Sequence, residues 1–119
     1  MSVVVELDSK AWEKLEKTGG PQLIRELIDI YLQYIPGKLA EARAGLQADK
    51  LEDVQWAAHP IKSSSNNLGI TIMRVLAEKI ENLAMEKQNA ATIAPLLAEL
   101  EDAFARTKLL LETKRRELG

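Results

Sequence analysis

Apolar side chains recur every three or four residues over most of this chain, the spacing of helices that bury one face. The first long line runs from Ile24 through Ile28, Tyr31, Ile35, Leu39 and Ala42 to Leu46. Pro36-Gly37 interrupts it without shifting its phase, so the pattern predicts one helix over residues 21–47, kinked near Pro36. Ahead of it, Gly19-Gly20 breaks the chain and Pro21 suits a first helical turn. A short helix through about Lys17 precedes that break, capped by Asp8 or Ser9, with Trp12 and Leu15 on one face. Val3-Val4-Val5, within the opening Met1–Leu7, reads as an extended lead-in too short to make a sheet.

Three further stripes follow. Asp49 is placed to cap a helix over about 50–68, with Gly69 as its left-handed C-terminal residue. Its inward side is Leu51, Val54, Ala58, Ile61 and Leu68, with the small Ser65 between. Thr71 is expected to cap the next helix, which reaches about Lys87 and buries Ile72, Met73, Leu76, Ile80 and Leu83. Asn89 or Thr92 starts the last, with Pro95 still in the tolerated first turn. Its seam is Ile93, Leu97, Leu100, Phe104 and Leu111, and Lys114-Arg115-Arg116 complements the helix C-terminus. Amphipathic helices joined by short connections predict an all-α fold: an antiparallel up-down four-helix bundle with a short extra N-terminal helix. Repeats and low-complexity tracts are absent, so residues 1–119 read as a single domain with its core over about 8–117.

Composition changes this picture mainly by exclusion. Hydrophobic residues make up 46% of the chain but aromatics only 4%, so Leu, Ile, Ala and Val must fill the interior. The net charge of −2 is spread along the chain, which leaves no concentrated basic surface for nucleic acid. Without cysteine there are no disulfides and no thiolate metal sites. No apolar run approaches membrane-spanning length, and Met1–Asp8 lacks a signal peptide's basic start. A cytoplasmic monomer with no membrane contact is expected.

One segment, Trp56 to Gly69, departs from ordinary bundle logic. At about 100° per residue, His59 points almost opposite Ile61 and Leu68, so it faces water if they face the core. Gln55, Lys62, Ser63 and Asn66 share its face. A neutral imidazole nitrogen is a good nucleophile near neutral pH, and an ammonium and a hydroxyl beside it suit a bound phosphoryl group. No Asp or Glu occurs from Val54 to Ala77, although the chain holds 18. Carboxylates on the same helix would repel a phosphate, so their absence fits a phosphate seat. One histidine without cysteine offers no metal site. Ser64 and Ser65 read as small residues that let helices approach. Trp56, about 60° from His59 on the wheel, reads as a partly exposed docking anchor. Trp12 and Leu15 join it as docking candidates, being large apolar residues that four-helix packing does not obviously require. Pro60 removes one helical hydrogen bond, yet the apolar period runs through it, so a continuous, bent helix is expected.

Ala58-His59-Pro60-Ile61-Lys62-Ser63-Ser64-Ser65-Asn66-Asn67-Leu68-Gly69 resembles the motif of the histidine phosphotransfer family of multistep phosphorelays. That pattern runs Ala-His-x-Leu-Lys-Gly-Ser-Ser/Ala-x-x-Leu-Gly. Ile61 replaces its leucine, and Ser63 stands where glycine is usual. The resemblance extends over about residues 8–115 and places Glu81 where relatives carry Gln or Glu, near the imidazole. It implies a phosphoryl carrier without autokinase activity. His59 would take phosphate from a receiver-domain aspartate and pass it to another receiver. Response-regulator receiver domains and a hybrid sensor kinase are the implied partners. No cofactor of its own is implied, Mg²⁺ belonging to the receiver. Two other readings stand beside it. One is the phosphotransfer domain of a chemotaxis-type kinase, whose motif runs His-x-Ile-Lys-Gly-Gly. The other is a helical adaptor in which His59 has no chemistry.

Overall fold

The predicted stripes become the inward faces of the helices, with Leu51 at the start of the α2 stripe only half-buried. In a computed structural model that describes residues 5–119, the helices are α1 (Ser9–Gln47), α2 (Leu51–Asn67), α3 (Thr71–Met85) and α4 (Ala90–Leu118). Val3 and Val4 of the expected lead-in lie outside the described residues. The whole α1 line from Ile24 to Leu46 is buried, as is the α4 seam from Ile93 to Leu111. On α3 the face is rotated slightly from the expected one. Ala77 and Ala84 are buried, whereas Ile72 and Leu83 are only half-buried.

Contacts between helices set their directions. Tyr31 meets Ser65 and Gly45 lies against Val54, so the long part of α1 runs antiparallel to α2. Arg43 pairs with Glu101, and Asp29 with Arg115, which makes α1 and α4 antiparallel as well. α2 packs on α1 and α3, leaving α4 diagonally across the bundle from it. The up-down four-helix bundle is therefore the observed architecture.

The break in α1 falls at Gly20, whose φ of 67° and ψ of −165° divide it into residues 9–19 and 21–47. The kink expected near Pro36 does not appear as non-helical backbone; Gly20 alone has that inside α1. α2 likewise continues through Pro60. Two caps differ from expectation. Asp49 sits in the turn at φ 56°, with Lys50 in the cap position and no side-chain capping bond. Thr71 does not cap α3, because Ile70 occupies that place with its side chain fully buried. The turn at Ile70 is fastened from the N-terminal side instead: Leu7 forms an antiparallel bridge with Ile70. The Asp8 N–H donates to the Gly69 carbonyl at 2.8 Å, and the Trp12 indole N–H donates to the Leu68 carbonyl at 2.7 Å. The orphan carbonyls at the end of α2 thus find donors.

Gly69 is left-handed at φ 67°, and a Cβ there would stand 2.9 Å from the Ala11 Cβ. Gly69→Ala is expected to destabilise the fold by about 1–3 kcal/mol through backbone strain and this clash. Urea unfolding measures it. An unchanged midpoint would mean the N-terminal segment is not packed over the turn as described.

Candidate functional site

His59 stands in the middle of α2, between Ala58 and Ile61 that face the core. Its side chain is 53% exposed, so the wheel argument holds: the ring faces water. The chemistry is decided by a residue from the neighbouring helix. Glu81 on α3 reaches across, and its Oε2 lies 2.6 Å from His59 Nδ1. An ionised carboxylate only accepts hydrogen bonds, so Nδ1 carries the proton and donates it. In a neutral ring, Nε2 is then the unprotonated nitrogen with a free lone pair.

Glu81 itself is almost buried, its side chain 8% exposed. Lys62 approaches from α2, one turn beyond His59, and its Nζ lies 2.7 Å from Glu81 Oε1. That approach is an ion-pair contact rather than an aligned hydrogen bond, since Oε1 has no well-directed donor. Burial alone pushes the Glu81 carboxyl up. The contact with Lys62 and the hydrogen bond from His59 outweigh it and hold the group below its ordinary value. A buried carboxylate is thus kept charged by two partners, both from α2.

This arrangement refines the expectation for Lys62. It lies beside His59 but is engaged first with Glu81, not free on the surface. The acid-free window of α2 also gains a meaning in three dimensions. The one carboxylate against His59 comes from α3 and bonds Nδ1, leaving the Nε2 side clear.

Of the other expected neighbours, Ser63 and Asn66 are exposed and Gln55 is half-buried. Ser65 is buried, and its Oγ lies 2.7 Å from the Tyr31 hydroxyl. Burial raises the Tyr31 phenol well above its ordinary range, against a smaller opposing effect of Ser65, so the pair stays neutral. It ties α1 to α2 behind the histidine.

The docking candidates separate. Trp56 is 62% exposed, one turn from His59. Trp12 and Leu15 are half-buried and packed against the core. Trp12 bonds Leu68, nine positions beyond His59 and about 13 Å along the helix axis. The structure does not bring Trp12 to the imidazole; it fastens the N-terminal segment to the α2–α3 turn. Exposed apolar residues that sequence reasoning passed over are Ile30 and Tyr34 on α1, Met85 on α3 and Leu109 on α4. Their signal was present: Ile30 and Tyr34 are four apart on one face, and Met85 follows Glu81 by one turn. Among the described residues, no group of His, Cys, Asp and Glu side chains could hold a metal ion. No helix there is long and apolar enough to cross a membrane.

An antiparallel bundle that presents one exposed imidazole, with its inner nitrogen bonded to a carboxylate, is what the fold and the site show. The Hpt-domain family model matches residues 26–109, and the chain belongs to that family: it is a histidine phosphotransfer domain, a phosphoryl carrier of phosphorelays. Domains of this family work with response-regulator receiver domains and kinases. The fold is also that of histidine-containing phosphotransfer protein B from Pseudomonas aeruginosa PAO1, with a TM-score of 0.83 and 23% identity. The match covers 93% of this chain and 95% of that one. No curated protein matches the chain.

Proposed function

We propose that His59 is the phosphoryl acceptor and that its Nε2 is the attacking atom. The observation that carries this is the hydrogen bond from Nδ1 to Glu81, which leaves the Nε2 lone pair on the solvent side of an exposed ring. A receiver domain presents its aspartyl phosphate, with Mg²⁺ and a lysine supplied by the receiver. Nε2 attacks phosphorus in line, the bond to the aspartyl oxygen breaks, and the aspartate leaves as a carboxylate. No proton need leave Nε2. The ring, still protonated on Nδ1, takes up positive charge as the N–P bond forms, and the Glu81 carboxylate lies against that charge. The reverse step returns a neutral imidazole and delivers phosphate to a second receiver.

Most of the catalysis is positioning and charge stabilisation, with the metal on the partner. Lys62 holds Glu81 in place and, one helical turn from His59, is the cation of that face that would soften the charge of the new phosphate. Gln55, Ser63 and Asn66 line the approach to the phosphoryl group. The chain would act as a monomeric cytoplasmic module over residues 1–119, without a cofactor of its own and without autokinase activity. Its partners would be response-regulator receivers and a hybrid sensor kinase.

The test is transfer from a phosphorylated receiver domain, scored as phosphate that is labile in acid and stable in alkali. Absence of any such label on the wild-type chain would overturn the reading. Ser63 supplies a second check. It is exposed where relatives carry glycine, so Ser63→Gly should keep the transfer rate. Ser63→Gln should slow single-turnover transfer strongly, with the circular dichroism spectrum unchanged. Full activity in the bulky variant would mean the receiver does not pass over this residue.

A further inference from the structure

Trp56 leaves 62% of its surface in water, in a chain with very few aromatics. It forms a ridge between two grooves. On one side the groove is lined by Gly45, Asp53 and Ala57, among others. On the other it is lined by Leu51, Gln55, Ala84 and Met85. Met85 is itself 55% exposed. Because α2 and α3 run antiparallel, one turn back from His59 and one turn on from Glu81 reach the same level. Trp56 and Met85 therefore line one groove, about one helical turn from the His59–Glu81 pair. Asp49, Glu52 and Lys87 lie around this apolar spot. An apolar centre with a charged rim is the make-up of a small, reversible interface.

We propose that Trp56, backed by Met85, is the anchor on which a receiver domain seats while its aspartyl phosphate reaches Nε2; this rests on His59 being the acceptor. Proximity settles the occupant. Trp56 is three residues from His59, about 4.5 Å along the axis. A globular domain whose reacting atom approaches Nε2 covers about 600–800 Å² of each partner, a patch far wider than that separation. Any domain that exchanges phosphate with His59 must therefore lie over Trp56. A tryptophan brings about 150–250 Å² of apolar surface, a large share of such a patch, and buried aromatics dominate binding at interface centres. Ile30 and Tyr34 are also exposed, but they line a separate groove with Ser64 and Asn67, one that includes neither Trp56 nor Met85. The anchor sets affinity and partner choice, and the chemistry of the ring is independent of it.

Two phosphoryl donors separate these roles. Phosphoramidate is a small donor that needs no docking: its P–N bond breaks, ammonia leaves, and phosphorus bonds to Nε2. A phosphorylated receiver domain that exchanges with the wild-type chain must dock. Trp56→Ala should react with phosphoramidate at the wild-type rate. With the receiver, its half-saturating concentration should rise about tenfold or more at an unchanged limiting rate. Trp56→Phe should recover part of the loss, and Met85→Ala should show a smaller rise. Leu109 on α4 is the control, 67% exposed and diagonally across the bundle, so Leu109→Ala should match wild type. Unchanged half-saturation in Trp56→Ala would overturn the anchor, as would equal losses with both donors. If the wild-type chain takes phosphate from neither donor, the acceptor role of His59 falls instead.

Discussion

His59→Gln is expected to remove phosphoryl acceptance completely while leaving the bundle folded. His59 is the chain's single histidine, so no second imidazole can take the group. An amide nitrogen is not a nucleophile at neutral pH, because its lone pair is delocalised into the carbonyl. Glutamine suits this test better than alanine. Its N–H can still donate to Glu81, so the nearly buried carboxylate keeps a partner on the His59 side. Lys62 remains on the other oxygen. A side chain more than half exposed contributes little packing, and substitutions outside the core typically shift stability by no more than about 0.5 kcal/mol. The check is incubation with a phosphorylated receiver, alongside thermal unfolding. Acid-labile phosphate on the variant would place the acceptor elsewhere, and a large drop in Tm would show that the ring holds the bundle together.

Glu81→Ala is expected to slow transfer about 10- to 100-fold, the loss seen when a metal-ligating histidine is deprived of the carboxylate that orients it. Without the carboxylate, the proton is free to sit on either ring nitrogen, and a ring protonated on Nε2 cannot attack. The positive charge that develops on the ring also loses its counter-charge. Glu81→Gln separates these effects, since its carbonyl can still accept from Nδ1 while supplying no charge. It should lie between wild type and alanine. Lys62→Ala should be milder, because it leaves the His59–Glu81 bond in place and removes only the outer cation. Single-turnover transfer at saturating receiver measures all three, and a wild-type rate in Glu81→Ala would remove Glu81 from the mechanism.

The same carboxylate predicts a dependence of stability on pH. Its folded-state pKa is held below the ordinary carboxylate value, so its contribution is complete above that ordinary value and is lost as pH falls through the folded one. The stability gap between wild type and Glu81→Gln should therefore narrow on acidification. A gap that widens in acid would reverse the assigned sign.

Much of this was legible along the chain, and for one reason. A helix repeats every 3.6 residues, so which side chains share a face is a property of the sequence alone. The buried lines of α1 and α4, the exposed position of His59 and its company with Lys62 and Ser63 all follow from that period. Gly69 was legible too, because only the left-handed region ends the helix there, and glycine enters it without penalty. Caps were less so. Asp49 and Thr71 have the right chemistry, but the buried Ile70 and the bridge from Leu7 decided where α3 begins.

What periodicity could not supply was which atoms of different helices meet. The resemblance put Glu81 near the imidazole, but only packing of α3 on α2 made it the partner of Nδ1 and thereby chose Nε2 as the free nitrogen. The same packing turned Lys62 toward that carboxylate. Trp12 and Trp56 are both large indoles on amphipathic helices, yet one lies over the α2–α3 turn and the other stands in water beside His59. Burial of a side chain at the edge of a stripe depends on what packs against it from elsewhere in the chain, a long-range fact that no local period carries. The sequence by itself determined the bundle and the face on which the chemistry sits. The tertiary structure decided the protonation of the ring and the shape of the surface around it, because both arise from contacts between segments far apart in sequence.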